Sequence, residues 1–555
     1  MKSRNTDDGN SETFLLAQLA ACASVFSFLV YLRHNEILLY GDAIAHINIA
    51  RRIFDSRTPG LLQLGTVWLP LPHLLMVPFL VSKSLWQKGI GGSIPSMIAY
   101  ILGVAGIFRL VRGVLSGSRV ADRGARLTAW GAAIIYGANP NLIYMQATAM
   151  TESLYLALFI WALVYFTEFA RAVRAPDGER RVSSGLVKCG WCVAGACLTR
   201  YDGWFLGGVL FIAALAVILR AKKSFDSFSR LKIAFVQFTL IMAAMPILWL
   251  AYNAVVYRNA LEFANGPYSA KAIEHKTATP GAPPHPGTDN LPVAASYFLK
   301  AVELNVLSNN WHRIWLLLLL AGSVTILISQ RQLWVLLLLW APLPFYMLSI
   351  AYGGVPIFLP PWWPFSIYNA RYGLQLLPAF AVFIPLCAYF FAKIFPDLKI
   401  KIAIAFAVLL LTGTSYALAW RSQPILFREA WVNSRSKNAI EVQLASLLEH
   451  LPRNSNYLMY LGSHVGAMER AGIPLSHVIN EGNHRPWKKP NDPDGLWEKA
   501  LAHPEQYVQY VIAFQGDDVD KQVNKKPLAS FLILHVLGQP PVTIYRIAGV
   551  SPDQM

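Results

Sequence analysis

Four short stretches of the sequence place charged or histidine side chains directly beside long apolar runs. The first, "YGDAIAH", contains Asp42 and His46, and the second, "MTESLYL", contains Glu152. The third and fourth are "LTRYDGW" around residues 200–202 and "YNARYGL" around residues 371–372. A carboxylate near a hydroxyl can take its proton, and an arginine can bind a phosphate through two hydrogen bonds. Because charges this close to hydrocarbon are usually paired or functional, these stretches are candidates for a site at a membrane surface.

Each stretch also has a purely structural interpretation. Asp42 precedes the segment "AIAHINIARRIF" and could cap that helix, and Glu152 could occupy the positive end of a helix dipole. Arg200 and Asp202 interrupt two apolar runs and could pair only to tie that turn together. Arg371 opens an apolar run behind an aromatic cluster, where it could simply extend to water.

Composition identifies the elements that must position these residues. The chain has 555 residues, of which 55% are hydrophobic and 14% are charged, whereas soluble proteins carry about 25% charged residues. Repeated apolar runs of roughly 17 to 25 residues predict a polytopic membrane protein. The net charge of +17 fits cytoplasmic loops, lipid head groups or a phosphate-bearing substrate, and nucleic acid is not predicted as a partner. The cysteines of "CGWC", Cys189 and Cys192, lie in an apolar run and are predicted to be packing residues.

Twelve apolar runs are candidates for membrane spans. They lie at about 14–32, 69–86, 95–110, 127–147, 152–170, 186–199, 203–219, 233–257, 314–328, 333–351, 374–392 and 402–420.

Basic residues in short loops mark the cytoplasmic side of a membrane protein. The loops 109–126, 171–188 and 220–232 are rich in Arg and Lys and are separated from one another by two runs, so all three can be cytoplasmic. The N-terminus, with Lys2 and Arg4, is predicted to be cytoplasmic as well. Three runs lie between it and the first basic loop, so one of them does not cross.

The run at 69–86 is the one predicted not to cross. Pro70, Pro72 and Pro78 disrupt its helix, and such a backbone persists at membrane depth only when it is buried in protein or lines a cavity. His73 lies in this segment and has a packing or interface role as its structural alternative. About 11 transmembrane helices remain, with the N-terminus cytoplasmic and the C-terminus outside.

This topology predicts two domains. Residues 1–420 form a transmembrane catalytic domain, which includes a first outer loop at 33–94 and a mobile, Pro/Gly-rich outer loop at 258–313. Residues 421–555 form a small extracytoplasmic α/β domain, since hydropathy falls there and short strand patterns follow one amphipathic helix. All four candidate stretches then face the same outer side.

The order of these features resembles the GT-C superfamily of membrane glycosyltransferases, which includes protein O-mannosyltransferases, aminoarabinose transferases of lipid A and the oligosaccharyltransferase catalytic subunit. The resemblance covers residues 10–420. It consists of an acidic motif in the first outer loop, a Pro-rich juxtamembrane helix, a second acid before the fourth span, and an Arg-Tyr pair that opens a late span.

The resemblance implies an enzyme that moves a sugar from a polyprenyl-phosphate lipid to an acceptor hydroxyl. Direct displacement of the phosphate would invert the anomeric centre, and inversion is therefore expected. Asp42 would be the general base, Glu152 would help to form the site or hold a metal, and Arg371 would bind the donor phosphate with help from Arg200. The acceptor would be a protein, lipid or glycan, and a mannosyltransferase is one of the activities implied. The implied location is a bacterial inner membrane, with the C-terminal domain in the periplasm.

The remaining candidate residues flank these four. Tyr372 completes the Arg-Tyr pair at the donor phosphate, and Tyr201, Asp202 and His73 are candidates for the rest of the substrate site.

One departure from the family pattern concerns the first acidic motif. Many relatives have two adjacent acids there, whereas Ala43 follows Asp42 in this chain. His46, one helical turn later, could replace the second acid or only orient Asp42. A divalent metal, Mg or Mn, held by Asp42, His46 and Glu152 is therefore left open.

The main alternative is a transporter or flippase for a lipid-linked or small polar substrate, because both classes tolerate polar residues at membrane depth. The sequence shows no pair of broken helices in matching halves, and the predicted span count is odd, which argues against a transporter. A scaffold with a receptor-like outer domain leaves Asp42, Glu152 and Arg371 unexplained.

Overall fold

The computed structural model describes residues 4–115, 123–174, 179–221, 225–277, 281, 283–306, 312–462, 464–483, 492–523, 528 and 530–547. Most of the chain up to residue 421 is helical. Its α-helices are α1 (Arg4–Arg33), α2 (Gly41–Arg52), α3 (Leu71–Leu80), α4 (Lys83–Gln87), α5 (Ile90–Leu115), α6 (Arg123–Gly137), α7 (Pro140–Gln146), α8 (Glu152–Arg174), α9 (Glu179–Cys197), α10 (Asp202–Leu219), α11 (Phe225–Tyr257), α12 (Glu262–Asn265), α13 (Ala270–Thr277), α14 (Leu291–Val306), α15 (His312–Ser329), α16 (Pro342–Tyr352), α17 (Leu377–Ala392) and α18 (Leu398–Arg421). Stretches of 3-10 helix lie at Leu61–Leu64, Arg331–Trp340 and Ala370–Leu376.

The C-terminal part combines helices with a mixed sheet. Its elements are α19 (Ile425–Leu448), α20 (Val465–Ala471), α21 (Leu496–Ala502), α22 (Asp518–Val523), β1 (Tyr457–Met459), β2 (Val478–Ile479), β3 (Tyr510–Phe514), β4 (Ser530–Leu534) and β5 (Val542–Arg546). The strand order is β2-β1-β3-β5-β4, with β1 parallel to β2 and β3, and β5 antiparallel to β3 and β4. All five residues of β3 are buried, as expected for a central, largely apolar strand. A small C-terminal α/β region was predicted, and the division at residue 420 stays a prediction.

The fold class of a polytopic helical membrane protein is confirmed. Within the described ranges, eight helical segments are long and apolar enough to cross a bilayer, and they identify an integral membrane protein. They are Ser11–Arg33, Ile90–Leu115, Glu152–Arg174, Asp202–Leu219, Phe228–Tyr257, Arg331–Tyr352, Ala370–Ala392 and Leu398–Leu448. The predicted count of about 11 is not confirmed.

The proline-rich run at 69–86 contains two short helices in place of one span. α3 has 10 residues and is therefore about 15 Å long, half the thickness of a hydrocarbon core of about 30 Å. Pro78 lies inside α3, and α4 begins after Ser82, whose hydroxyl accepts a hydrogen bond from the Leu85 N–H. α3 by itself is too short to cross, and the interfacial or re-entrant position of this run stays a prediction.

The run at 127–147 is divided in two where the sequence predicted one span. α6 ends at Gly137, and α7 begins at Pro140, which has no N–H to donate and suits the first turn of a helix. The Asn139 side chain caps α7 by accepting from the N–H groups of Asn141 and Leu142, at 3.1 and 3.0 Å.

The segment 258–313, predicted as a mobile outer loop, contains α12, α13 and α14. α14 buries Ala294, Tyr297, Phe298 and Ala301, and this 3-4 spacing of small and aromatic residues is an amphipathic helix pattern. Residues 278–280 and 282 of the Pro/Gly-rich stretch, and residues 307–311, lie outside the described part. The mobility of this segment stays a prediction.

Candidate active site

Four separate elements bring the candidate charged residues into one cluster. Asp42 lies in the first turn of α2, Glu152 begins α8, Arg200 precedes α10, and Arg371 lies in the 3-10 helix before α17. We call this cluster, together with Asp202, the charged cluster.

Arg371 joins the two acids that the sequence predicted for the site. Its Nη2 lies 2.7 Å from Asp42 Oδ2, and its Nε lies 3.4 Å from Glu152 Oε1. The first contact is a charge-assisted hydrogen bond, whereas the second is an ion pair with weaker geometry. Residues 329 positions apart in the chain are thus in direct contact.

Arg200 joins the other side of Glu152. Its Nη1 donates to Glu152 Oε1 at 3.1 Å and to Thr151 Oγ1 at 3.1 Å, and its Nε lies 3.3 Å from Asp202 Oδ2. The pair with Asp202 that was the structural interpretation of this turn is therefore present. It is one part of a larger network, because Arg200 and Arg371 meet on the same oxygen of Glu152.

Two tyrosines complete the network. The Tyr346 hydroxyl donates to Asp202 Oδ2 at 2.9 Å and accepts from Arg200 Nη2 at 3.0 Å. The Tyr372 ring contacts both guanidinium groups, with its centroid 5.3 Å from Arg200 Cζ and 5.4 Å from Arg371 Cζ. These are cation–π distances, so Tyr372 holds the two cations near each other without neutralising them.

Burial separates the three acids. The side chain of Glu152 is 0% exposed and that of Asp202 is 3% exposed, whereas that of Asp42 is 36% exposed. A buried carboxylate is stable only when it is paired, and the two arginines provide that pairing for Glu152 and Asp202. Asp42 is the acid of the cluster that an incoming hydroxyl group can reach.

Two glycines allow the backbone approaches that place the arginines. A Cβ at Gly373 would lie 2.4 Å from the carbonyl carbon of Ala301 in α14, and one at Gly203 would lie 2.4 Å from the backbone of Ala196 in α9. Each glycine follows a candidate motif, in "RYG" and "YDG". The glycine after each motif is a signal, readable from the sequence, of this close backbone approach.

His46 lies on α2 but its described partner is His73, not Asp42. His46 Nδ1 lies 2.9 Å from His73 Nε2, and the His46 ring lies 4.9 Å from the Trp68 ring. Burial, followed by the charges of Arg371 and Arg200, lowers the pKa of His46 to about 3, and burial lowers the pKa of His73 well below its ordinary value. Both rings are neutral at physiological pH and pack α2 against α3.

This arrangement does not fit the metal set considered from the sequence. His46 is engaged with His73, and both Asp42 and Glu152 are engaged by Arg371. In the described part of the chain, no group of three or more His, Cys, Asp or Glu side chains is arranged to hold a metal ion.

Tyr201 lies beside the charged cluster with a different set of partners. Its hydroxyl donates to the Val67 carbonyl at 3.1 Å and accepts from Trp249 Nε1 at 3.3 Å, and its ring stacks on Phe263 at 4.9 Å. These contacts fix the chain just before α3.

Four residues that were not predicted from the sequence support the cluster. The Tyr40 ring lies 5.5 Å from Arg371 Cζ, and buried Glu429 of α19 accepts a hydrogen bond from the Asn369 N–H at 3.0 Å. Asn369 has a left-handed backbone, with φ of 58°, so this acceptor stabilises the turn that leads into Arg371. Tyr346 lies in an apolar run, where a single tyrosine is no signal of a site.

Solved structures of ArnT from Cupriavidus metallidurans are similar to this chain. The apo structure matches with a TM-score of 0.56 and 14% identity, covering 96% of this chain and 100% of that chain. The structure bound to undecaprenyl phosphate matches with a TM-score of 0.52 and 14% identity, covering 95% of this chain and 99% of that chain.

A weaker match is the Archaeoglobus fulgidus oligosaccharyltransferase in complex with Zn and sulfate, whose TM-score of 0.46 carries no argument. It has 12% identity and covers 90% of this chain and 68% of that chain. No protein-family model and no curated protein matches the sequence. At these identities the likeness concerns the fold: the chain has the GT-C fold that its sequence predicted.

Proposed function

We propose that the protein is a glycosyltransferase that moves a sugar from a polyprenyl-phosphate lipid to an acceptor hydroxyl, with Asp42 as the general base. The observation that carries the proposal is the contact of Arg371 with both Asp42 and Glu152 in a cluster that also holds Arg200. Support for the donor class comes from the similar ArnT structure, which binds undecaprenyl phosphate. ArnT is an aminoarabinose transferase of the same fold superfamily.

The arginines suit a departing phosphate. As the bond between the sugar C1 and the phosphate oxygen breaks, its electron pair stays on that oxygen, and negative charge increases where Arg371 and Arg200 can donate hydrogen bonds. A lipid phosphate is a good leaving group, so this half of the reaction needs no general acid. Tyr372, which contacts both guanidinium groups, keeps the cations in place for the phosphate.

Asp42 suits the attacking hydroxyl because it is the exposed acid of the cluster. The acceptor oxygen forms a bond to C1 as its proton passes to Asp42, and the phosphate leaves from the opposite face of the sugar. This single displacement inverts the anomeric centre. Donor phosphate competes with Asp42 for Arg371, so donor binding frees the carboxylate to act as the base.

The sugar, the acceptor and the cellular location are proposed as classes. The transferred group is a hexose, such as mannose, or a pentose, and the acceptor is a protein, a lipid or a glycan. We place the enzyme in a bacterial inner membrane with its N-terminus in the cytoplasm. The charged cluster and residues 421–555 then lie on the extracytoplasmic side. The membrane-spanning helices contact membrane lipids.

The test uses purified full-length protein with a panel of polyprenyl-phosphate sugars. Asp42→Asn is expected to lower transfer by about 10²- to 10⁴-fold while donor binding persists, because only the proton acceptor is lost. Asp518→Asn is a matched control, since Asp518 is exposed on α22 and far along the chain from the cluster. Transfer or donor hydrolysis that is unchanged in Asp42→Asn would exclude Asp42 as the base, and a product with retained configuration would exclude the single displacement.

A further inference from the structure

A cavity beside Asp42 is formed jointly by the start of α2 and one face of α19. Its volume is about 60 Å³, which is about twice the volume of one water molecule in the liquid, about 30 Å³. From the α2 side it is lined by Leu39, Tyr40, Gly41 and Ile44, and from α19 by Ala430, Asn433, Ser434, Lys437 and Asn438. The α19 residues recur at a spacing of three to four and so form one face of the helix.

Lys437 is the charged side chain that lines this cavity. Its Nζ lies 3.7 Å from the position that a Cβ on Gly41 would occupy, directly before Asp42 in the chain. The side chain is 28% exposed. Its described ion-pair partner is Glu441 Oε1, at 3.8 Å, which is too long for a hydrogen bond. The ammonium N–H groups can therefore donate to a ligand in the cavity.

The chemistry around Lys437 favours an anion. Asn438 lines the same cavity, and its Oδ1 accepts from Arg470 Nη2 at 3.2 Å, so a second cation lies one hydrogen bond behind the lining. Ser434 and Asn433 add hydroxyl and amide groups that suit phosphate or carboxylate oxygens. Two acids lie nearby: Glu441 forms the long ion pair with Lys437, and Asp42, which follows Gly41 in the chain, is already paired with Arg371.

We propose that this cavity binds an anionic group, a phosphate or a carboxylate, of the acceptor whose hydroxyl Asp42 deprotonates. The inference rests on the proposed function and extends it, because it gives the acceptor a charge and makes α19 one wall of its site. Lys437 then determines acceptor specificity, while Arg371 and Arg200 bind the donor phosphate.

The experiment measures binding and not turnover. Purified full-length protein in neutral detergent is heated with glucose 6-phosphate or with glucose, as probes that differ only in the phosphate. Because removing Lys437 alone would take from buried Glu441 the cation that pairs with it, the comparison is Glu441→Gln against the double variant Lys437→Gln/Glu441→Gln. Lys521→Gln, on exposed α22, controls for the loss of one positive charge.

We expect glucose 6-phosphate, and not glucose, to raise the Tm of the wild type, of Glu441→Gln and of Lys521→Gln. The rise should be lost in Lys437→Gln/Glu441→Gln. No rise above that with glucose, or an equal rise without Lys437, would overturn the inference. A parallel series adds phosphatidylglycerol or phosphatidylcholine to the micelle, to distinguish an acceptor phosphate from the phosphate of a lipid head group. If phosphatidylglycerol, and not phosphatidylcholine, abolishes the Lys437-dependent rise in Tm, the cavity binds a lipid head group and the acceptor assignment is wrong.

The two proposals fail in different ways. Loss of the proposed function would appear as absence of transfer from every polyprenyl-phosphate sugar, whatever the result with glucose 6-phosphate. Failure of the present inference would leave donor turnover and its dependence on Asp42 unchanged.

Discussion

Arg371 and Asp42 are 2.7 Å apart, and an exposed pair on the surface, Arg109 and Glu168, has the same separation. The surroundings differ, because Arg371 is 11% exposed whereas Arg109 is 46% exposed. Hydrogen bonds to a charged group in a buried site are worth about 1.5–3 kcal/mol.

Arg371→Lys is expected to weaken binding of a polyprenyl phosphate by roughly ten- to hundredfold, which corresponds to about 1.5–3 kcal/mol. Lysine keeps the charge but loses the planar pair of donors that reaches both a phosphate and Glu152. Arg109→Lys is the matched control and should leave binding unchanged. Titration of undecaprenyl phosphate against purified protein measures the effect, and equal affinities in the two variants would contradict the role of Arg371.

Tyr346→Phe removes one hydroxyl that serves both Arg200 and Asp202. We expect a loss of about 1–3 kcal/mol in stability, because buried Asp202 keeps only its contact with Arg200. Tyr252→Phe is the comparison, since the Tyr252 hydroxyl donates to the Leu61 carbonyl at a more exposed site, and should cost less than about 1 kcal/mol. Thermal unfolding in detergent compares the two variants. Equal Tm values for Tyr346→Phe and the wild type would show that the Tyr346 hydroxyl does not contribute to stability.

At the level of residues, the sequence predicted the acids and arginines and the Arg200–Asp202 pair, but not the contacts of Arg371 with Asp42 and Glu152. The cost of a charge beside hydrocarbon singled out Asp42, Glu152, Arg200 and Arg371, and the structure brings all four together. His46 was grouped with Asp42 because the two are one turn apart. Helical spacing shows only that two residues lie on the same face of one helix. It does not show which residue of another helix they contact, and His46 contacts His73 of α3.

At the level of elements, the 3-10 helix that carries Arg371 depends on a close approach to α14. A Cβ at Gly373 would meet the backbone of Ala301 at 2.4 Å, and helix backbone cannot move aside as a flexible side chain can. Gly413 on α18 is the matched control, since no atom lies within 4 Å of the position of its added Cβ.

Gly373→Ala is therefore expected to lower stability by about 1–3 kcal/mol and to weaken donor binding, because the added methyl group displaces Arg371. Gly413→Ala should be neutral, or stabilising by up to about 1 kcal/mol through a better helix propensity. Tm and undecaprenyl phosphate affinity are measured for both variants. Normal affinity in a folded Gly373→Ala protein would mean that the approach to α14 does not position the arginine.

Hydropathy predicted where apolar elements lie better than it predicted where they break. The break between α6 and α7 depends on the side-chain cap from Asn139, and the formation of α14 depends on its buried small residues. Neither feature changes the mean hydropathy of a stretch of sequence as long as a membrane span. The prolines of the run at 69–86 were a clearer signal, because a missing N–H has a direct consequence for a helix.

At the level of the whole molecule, the C-terminal part holds the helix that carries Asp42. Asn48 of α2 donates to Glu469 Oε2 of α20 at 2.6 Å, and its own Oδ1 accepts from Trp86 Nε1 at 3.1 Å. The Ser476 N–H donates to Asp55 Oδ1, just after α2, at 3.0 Å. Contacts between residues more than 400 positions apart could not be predicted from one sequence, although the two regions that make them were.

Glu469 makes this junction sensitive to pH. Burial raises the pKa of Glu469 from 4.5 to about 8. The hydrogen bond from Asn48 and the charge of Arg470 lower this pKa, but they do not outweigh burial. Glu441 faces the same carboxyl and also raises the pKa. The folded protein thus binds a proton on Glu469 that the unfolded chain loses above about pH 4.5, so this contribution to stability is full below pH 4.5 and is lost as pH rises toward 8.

The slope from this one group is at most about 1.4 kcal/mol per pH unit between those two pKa values. Glu469→Gln keeps the shape and the acceptor for Asn48 but cannot ionise, so its Tm should fall less steeply than that of the wild type between pH 5 and 8. Glu449→Gln, at an exposed position after α19, should keep the wild-type slope. Since Asn48 and Asp42 share α2, Glu469→Gln should also retain at high pH more of the transfer activity that the wild type loses. If the variant and the wild type instead show the same dependence of Tm on pH and the same dependence of activity on pH, the proton on Glu469 does not hold α2 in place.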